Sequence, residues 1–158
     1  MSTYTEAWLR GPSNTQFYTR TYVPEENQQV RAAIVFVHGF AEHVGRHAHF
    51  HPLFTQQGIA VFAMDQRGFG LTGQDVEQRS KGSAYGKTNW KDQMHDIAWF
   101  IEHTRETFTN VPVFLMGHSM VFMTSHFLGI VVLMPLHYRE VQKFWDLLVR
   151  MQSRSTSI

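Results

Sequence analysis

The chain has 158 residues, 43% of them hydrophobic and 17% charged, with a formal net charge of +1. That length fits one domain able to bury a core, and the near-neutral charge gives no basis for a nucleic-acid partner. The sequence has no cysteine, which excludes disulfides and thiolate metal sites. The N-terminus, Met1-Ser2-Thr3-Tyr4-Thr5-Glu6, has neither a basic nor an apolar signal region. An intracellular protein, cytoplasmic or lipid-associated, is the expectation.

In chain order, Glu6 to Arg10 and Thr15 to Val23 read as two strands, and Gly11-Pro12-Ser13-Asn14 between them is turn chemistry. Ala32-Ala33-Ile34-Val35-Phe36-Val37 is a continuous apolar run ended by His38-Gly39. Such a run suits a strand covered on both faces. Arg46 to Gln57 reads as a short helix closed by Gly58. Ile59 to Met64 is a second buried strand, ending at Asp65. Gln66 to Gly86 is glycine-rich and polar, hence a loop. Asn89 to Phe108 has helical spacing at Trp90, Met94, Ile97, Ile101 and Phe108, with Asn89 and Asp92 as a capping pair. Val111 to Leu115 is a third buried strand. A hairpin followed by β-α units predicts an α/β fold, a mainly parallel sheet with helices on both faces.

The third strand leads into Gly117-His118-Ser119-Met120-Val121. This is the G-x-S-x-G nucleophile elbow with valine at the last position. Active sites of such sheets form at the carboxyl ends of the parallel strands. Three ends carry distinctive residues: His38-Gly39-Phe40-Ala41-Glu42-His43, Asp65-Gln66-Arg67-Gly68-Phe69-Gly70, and the elbow. The elbow geometry makes Ser119 the candidate nucleophile. The Met120 N–H and an N–H from the loop after the first buried strand, that of Phe40, are the candidate oxyanion donors.

These motifs carry a specific resemblance. His38-Gly39-x-x-Glu42-His43-x-x-Arg46, Asp65-x-Arg67-Gly68-Phe69-Gly70 and Gly117-His118-Ser119-Met120 stand in the order and spacing of the α/β-hydrolases. The branch they resemble is the monoacylglycerol lipase-like one, which also carries serine aminopeptidase-like members. The resemblance covers about residues 5 to 120. It implies the N-terminal part of that fold, ester hydrolysis, and an acylglycerol or other small ester as substrate. It implies no cofactor and no metal. His38, Gly39, Asp65, Arg67, Gly117 and His118 are expected to shape the motifs and loops around the nucleophile.

The resemblance stops after Met120, so the fold is expected to be truncated past the elbow, with 1–120 as hydrolase part and 121–158 as a divergent apolar and amphipathic tail. A hydrolase of this type needs an acid and then a histidine after its serine. Here the acids after Ser119 are Glu140 and Asp146, and the histidines are His126 and His137, both before Asp146. The chain is therefore expected to be a serine hydrolase by descent that is catalytically incomplete. The competing reading is a non-catalytic binding or membrane-associated remnant. Thr107 to Tyr138 carries no Asp, Glu, Lys or Arg, and Tyr138 to Met151 has an amphipathic helical pattern. The tail is thus a candidate for peripheral membrane or lipid contact. A buried strand and helix are preferred to a membrane span. His43, His47 and His51 recur every four residues. On one helix face they would suit a metal, but His43 belongs to the motif and no metal site is expected there.

Overall fold

A computed structural model describes residues 4–118 and 134–135. Strands β1 (Tyr4–Arg10) and β2 (Gln16–Tyr22) pair antiparallel from Tyr4↔Tyr22 to Arg10↔Gln16. The turn between them, Pro12–Asn14, places Ser13 and Asn14 at φ 54° and 56°. This is the expected hairpin, with β1 two residues longer at its start.

Strands β3 (Ala32–Val37), β4 (Ile59–Met64) and β5 (Val113–Gly117) are mutually parallel neighbours, with β3 in the middle. β2 joins β4 antiparallel. A two-residue strand β6 (Met134–Pro135) pairs with β5 antiparallel at Leu115↔Met134 and Phe114↔Pro135. The sheet order is β1-β2-β4-β3-β5-β6. Register decides where the loops beyond the strands begin. Val37 lies opposite Met64 on one side and Gly117 on the other. The three parallel strands therefore end level, and the next residue of each chain segment, His38, Asp65 and His118, emerges beside the others.

Both sheet faces are covered, which is why the central strands are apolar without alternation. Ala33, Val35, Val37, Ala60, Phe62 and Met64 face helix α3 (Trp90–Thr107) and pack with Ile97, Phe100 and Ile101. Ile34, Phe36, Val61 and Ala63 face the other way, against Val44, Phe50 and Phe54. The last two flank helix α1 (His51–Thr55) or lie in it. α3 is capped as expected: Asn89 Oδ1 accepts from the Asp92 N–H at 3.0 Å.

Three elements depart from the sequence reading. The helix expected from Arg46 to Gln57 is divided into a 3-10 turn at Val44–His47 and the short α1. Pro52 explains the restart, because proline has no N–H for a continuing helix and is tolerated in a first turn. The loop from Gln66 to Gly86 contains helix α2 (Gly70–Gln74). Its glycines look like flexibility in sequence but serve close approach: a Cβ on Gly73 would lie 2.6 Å from the Gly68 carbonyl carbon. The third parallel strand is displaced by two residues, running over Val113–Gly117. Pro112 cannot donate to the ladder, and only its carbonyl joins it, accepting from the Ala33 N–H at 2.9 Å. Most of the tail lies outside the described residues, including Val121–Gly129. No described helix is long and apolar enough to cross a membrane.

Candidate active site

The level ends of β3, β4 and β5 bring the three sequence motifs together. His38, the first residue past β3, is fully buried. Its Nε2 accepts from the Gln66 N–H at 2.9 Å, and its Nδ1 lies 2.7 Å from the Gly39 carbonyl. A ring nitrogen that accepts carries no proton, so His38 is the neutral Nδ1–H tautomer. Burial agrees, pushing the ring down to about 4. Gln66 also donates through its side-chain amide to the His38 carbonyl. His38 thus fixes the start of one loop against the start of the next. Its hydrogen bonds tie the two loops together.

Asp65, just past β4, is buried as well. One carboxylate oxygen accepts from the Val44 N–H and the other from the Leu71 N–H, each at 2.7 Å. Burial raises its affinity for a proton, against the pull of those two N–H groups. The fit is close: a Cβ on Gly70, which sits at φ +48°, would fall 2.1 Å from Asp65 Oδ2. Arg67 points away from the strand ends. It forms a bidentate pair with Asp96 of α3, at 2.8 and 2.7 Å, and reaches the Pro12 carbonyl at 3.1 Å. Asp65 thus ties the loop after β4 to the loop after β3, and Arg67 ties it to α3 and the hairpin turn.

Glu42 is the hub of the site. Its Oε2 accepts from the Gly39 N–H at 2.8 Å, from His47 Nε2 at 2.9 Å and from His118 Nδ1 at 2.9 Å. Arg46 Nε stands 3.3 Å from Oε1. Burial pushes the Glu42 carboxyl up, but the hydrogen bonds from His47, Gly39 and His118 outweigh it and hold the group at about 2. An ionised carboxylate only accepts, so both imidazoles present N–H to it. The bond to Gly39 folds the loop back on itself, with Ala41 at φ 58°. Phe40 is left 66% exposed, its ring edge-on to buried Phe69 with centroids 5.1 Å apart. Among the described residues nothing accepts from the Phe40 N–H.

Gly117 closes β5, and His118 follows with its N–H on the Val37 carbonyl at 3.0 Å. Ser119 and Met120, the candidate nucleophile and second oxyanion donor, lie outside the described residues. Of the other predicted site residues, His38, Gly39, Phe40, Asp65, Gly117 and His118 gather at the strand ends, and Arg67 turns back to α3. His43, His47 and His51 do not share a helix face. His47 turns to Glu42, whereas His51 is buried between Tyr22, Phe36 and Phe50. The sequence reading missed the convergence on Glu42 and the partner of Arg67. The motif signalled Glu42 itself, but nothing local signalled which side chains reach it.

Comparisons with known proteins agree with this architecture. A profile described as serine aminopeptidase, S33, matches residues 28–120. A Schizosaccharomyces pombe protein assigned to the monoglyceride lipases is 34% identical over 103 residues, covering 65% of this chain and 25% of its own length. The monoacylglycerol lipase of Mycolicibacterium smegmatis is 27% identical over 119 residues, 75% of this chain and 39% of that protein. The chain therefore spans about a quarter to two fifths of the length of these two relatives. Among solved structures, a thermostable carboxyl esterase from Bacillus coagulans superposes with a TM-score of 0.61 at 24% identity, covering 75% of this chain and 37% of the esterase.

Proposed function

Because the chain belongs to the serine aminopeptidase (S33) family of α/β-hydrolases, we propose that it descends from carboxylic-ester hydrolases acting on acylglycerols. In this reading Ser119 is the nucleophile, with the Phe40 and Met120 N–H groups stabilising the oxyanion. Residues 1–120 are the hydrolase part and 121–158 a separate tail. The observation that carries the reading is the loop after β3. The Gly39–Glu42 bond turns it so that, among the described residues, nothing accepts from the Phe40 N–H in the loop just past β3. An oxyanion hole needs such a preorganised donor. The relatives named as monoglyceride lipases point to acylglycerols as the substrate class.

The 158 residues by themselves are proposed to be inactive. A serine hydroxyl needs an adjacent base to attack a carbonyl, and the order of acids and histidines after Ser119 does not supply an acid followed by a histidine. Oxyanion donors and binding alone leave roughly 10³–10⁴-fold over water. The test is a fluorophosphonate probe with p-nitrophenyl ester turnover, comparing the chain with Ser119→Ala. Equal, near-background labelling and turnover in both is the expected result. Labelling that disappears in Ser119→Ala would reveal a working base. The apolar and amphipathic tail favours a second reading, peripheral lipid contact, which flotation with liposomes tests directly.

A further inference from the structure

The cluster around Glu42 has a property that ester hydrolysis does not use. Glu42 Oε2, His47 Nε2 and His118 Nδ1 lie within 4.8 Å of one another. They come from three segments: the loop after β3, the 3-10 turn at Val44–His47, and the first residue beyond β5. Two imidazole nitrogens and one carboxylate are the donor set of a His₂Glu zinc site. We propose that Glu42, His47 and His118 form a binding site for a divalent transition metal, best matched to Zn²⁺, which clamps the loop after β3 to the end of β5.

Around Oε2 the geometry needs little change. Zn–N distances of about 2.0–2.1 Å and Zn–O distances of about 2.0–2.2 Å in a tetrahedron put neighbouring ligand atoms roughly 3.3 Å apart. Both imidazole nitrogens now stand 2.9 Å from Oε2. Those two distances open by a few tenths of an ångström, and the two ring nitrogens, within 4.8 Å of each other, draw together toward the same edge length. The ion then replaces the two ring protons, which move to the other nitrogen of each neutral ring. The Gly39 N–H on Oε2 stays as the outer partner that orients the ligand. His47 and Glu42 are nearly buried, whereas the His118 side chain is 41% exposed. That open side leaves room for a water as fourth ligand. Imidazole and a single carboxylate favour zinc over magnesium or calcium, which need oxygen cages. The opposing group is Arg46, a cation near Oε1. Its side chain is 66% exposed, so it leaves toward solvent at small cost.

The test uses the full chain without a polyhistidine tag. Zn²⁺ is titrated by calorimetry, Co²⁺ by visible absorption, and melting is followed with and without Zn²⁺. One ion per chain is expected, with the d–d absorption of a tetrahedral nitrogen–oxygen site and a higher melting temperature. His47→Gln and His118→Gln keep an amide able to donate to Glu42. Each should weaken binding by more than the ~10–100-fold that loss of an outer partner costs. Arg46→Gln should tighten it. Absence of a tetrahedral cobalt spectrum in the unsubstituted chain overturns the proposal without recourse to variants. Unaltered affinity in both glutamine variants overturns it too, since the ion would then sit on other histidines.

Discussion

Asp65 and Gly70 are coupled through a contact that admits no Cβ, and this makes Gly70 the most sensitive single position near the strand ends. Alanine there would strain φ +48° and push a methyl 2.1 Å from Asp65 Oδ2. The carboxylate would have to release the Val44 or Leu71 N–H. Overpacking and one lost buried hydrogen bond together cost about 2–4 kcal/mol, so Gly70→Ala should lower the urea midpoint clearly. A midpoint equal to that of the unsubstituted chain would mean that the loop holding Val44 adapts freely. His51 presents the opposite case, a buried ring with no partner for either nitrogen among the described residues. Burial holds it down to about 3 from the usual 6.5. Between those values the unfolded chain binds the proton and the folded chain does not. The stability present above pH 6.5 is therefore lost as pH falls toward 3. His51→Leu removes that loss. From pH 7 to pH 5 the variant should lose about 1–2 kcal/mol less than the unsubstituted chain. The raised Asp65 and Asp96 act in the reverse direction, but equally in both proteins. Identical acid sensitivity in paired denaturant curves would refute the assignment.

Between elements, the Arg67–Asp96 pair is the main polar tie from the loop after β4 to α3 and the hairpin turn. Side-chain exposures of 14% and 3% place it out of reach of solvent screening. Removing one partner leaves a buried charge, so Asp96→Ala should cost about 3–5 kcal/mol. The double variant Arg67→Met with Asp96→Leu should regain most of that, because an apolar pair of similar volume avoids the desolvation penalty. A double variant as unstable as Asp96→Ala would show that the pair adds net stability. This tie also marks the limit of what is legible in the sequence. The hairpin, β3, β4 and α3 are readable because each announces itself locally, by turn residues, an apolar run or helical spacing. Arg67 is recognisable as a loop-shaping residue, but its partner 29 positions away is not, since nothing near Asp96 sets it apart from other helix acids. The start of β5 departs from the sequence reading for a local reason, Pro112, that outweighs β-branched propensity at Val111. At the site, the motifs single out Glu42 and His118. That Glu42 gathers His47 and His118 depends on the level strand ends, which only the sheet register fixes.

On the scale of the whole molecule, the described sheet pairs its central strands fully and its β5 edge thinly. β4 and β3 each have a long neighbour on both edges. β5 has β3 on one edge and, among the described residues, only Met134–Pro135 on the other. Two residue pairs cannot satisfy the outer N–H and C=O groups of a five-residue strand. Its Phe114 and Leu115 side chains are only partly buried, each packing against a different core face. An apolar strand with an open edge is a template for pairing with another chain. No charged residue or proline interrupts Val113–Gly117 to prevent it. The matched segment is only 25% of one relative's length and 39% of another's. The 158 residues expressed alone should therefore self-associate, with a scattering mass that rises with concentration and a broad melt that depends on it. Covering the edge should reverse this: a peptide able to add a strand beside β5 would lower the scattering mass. A monomer at all concentrations with a sharp cooperative melt would overturn the prediction, because it would mean that 119–158 completes the core.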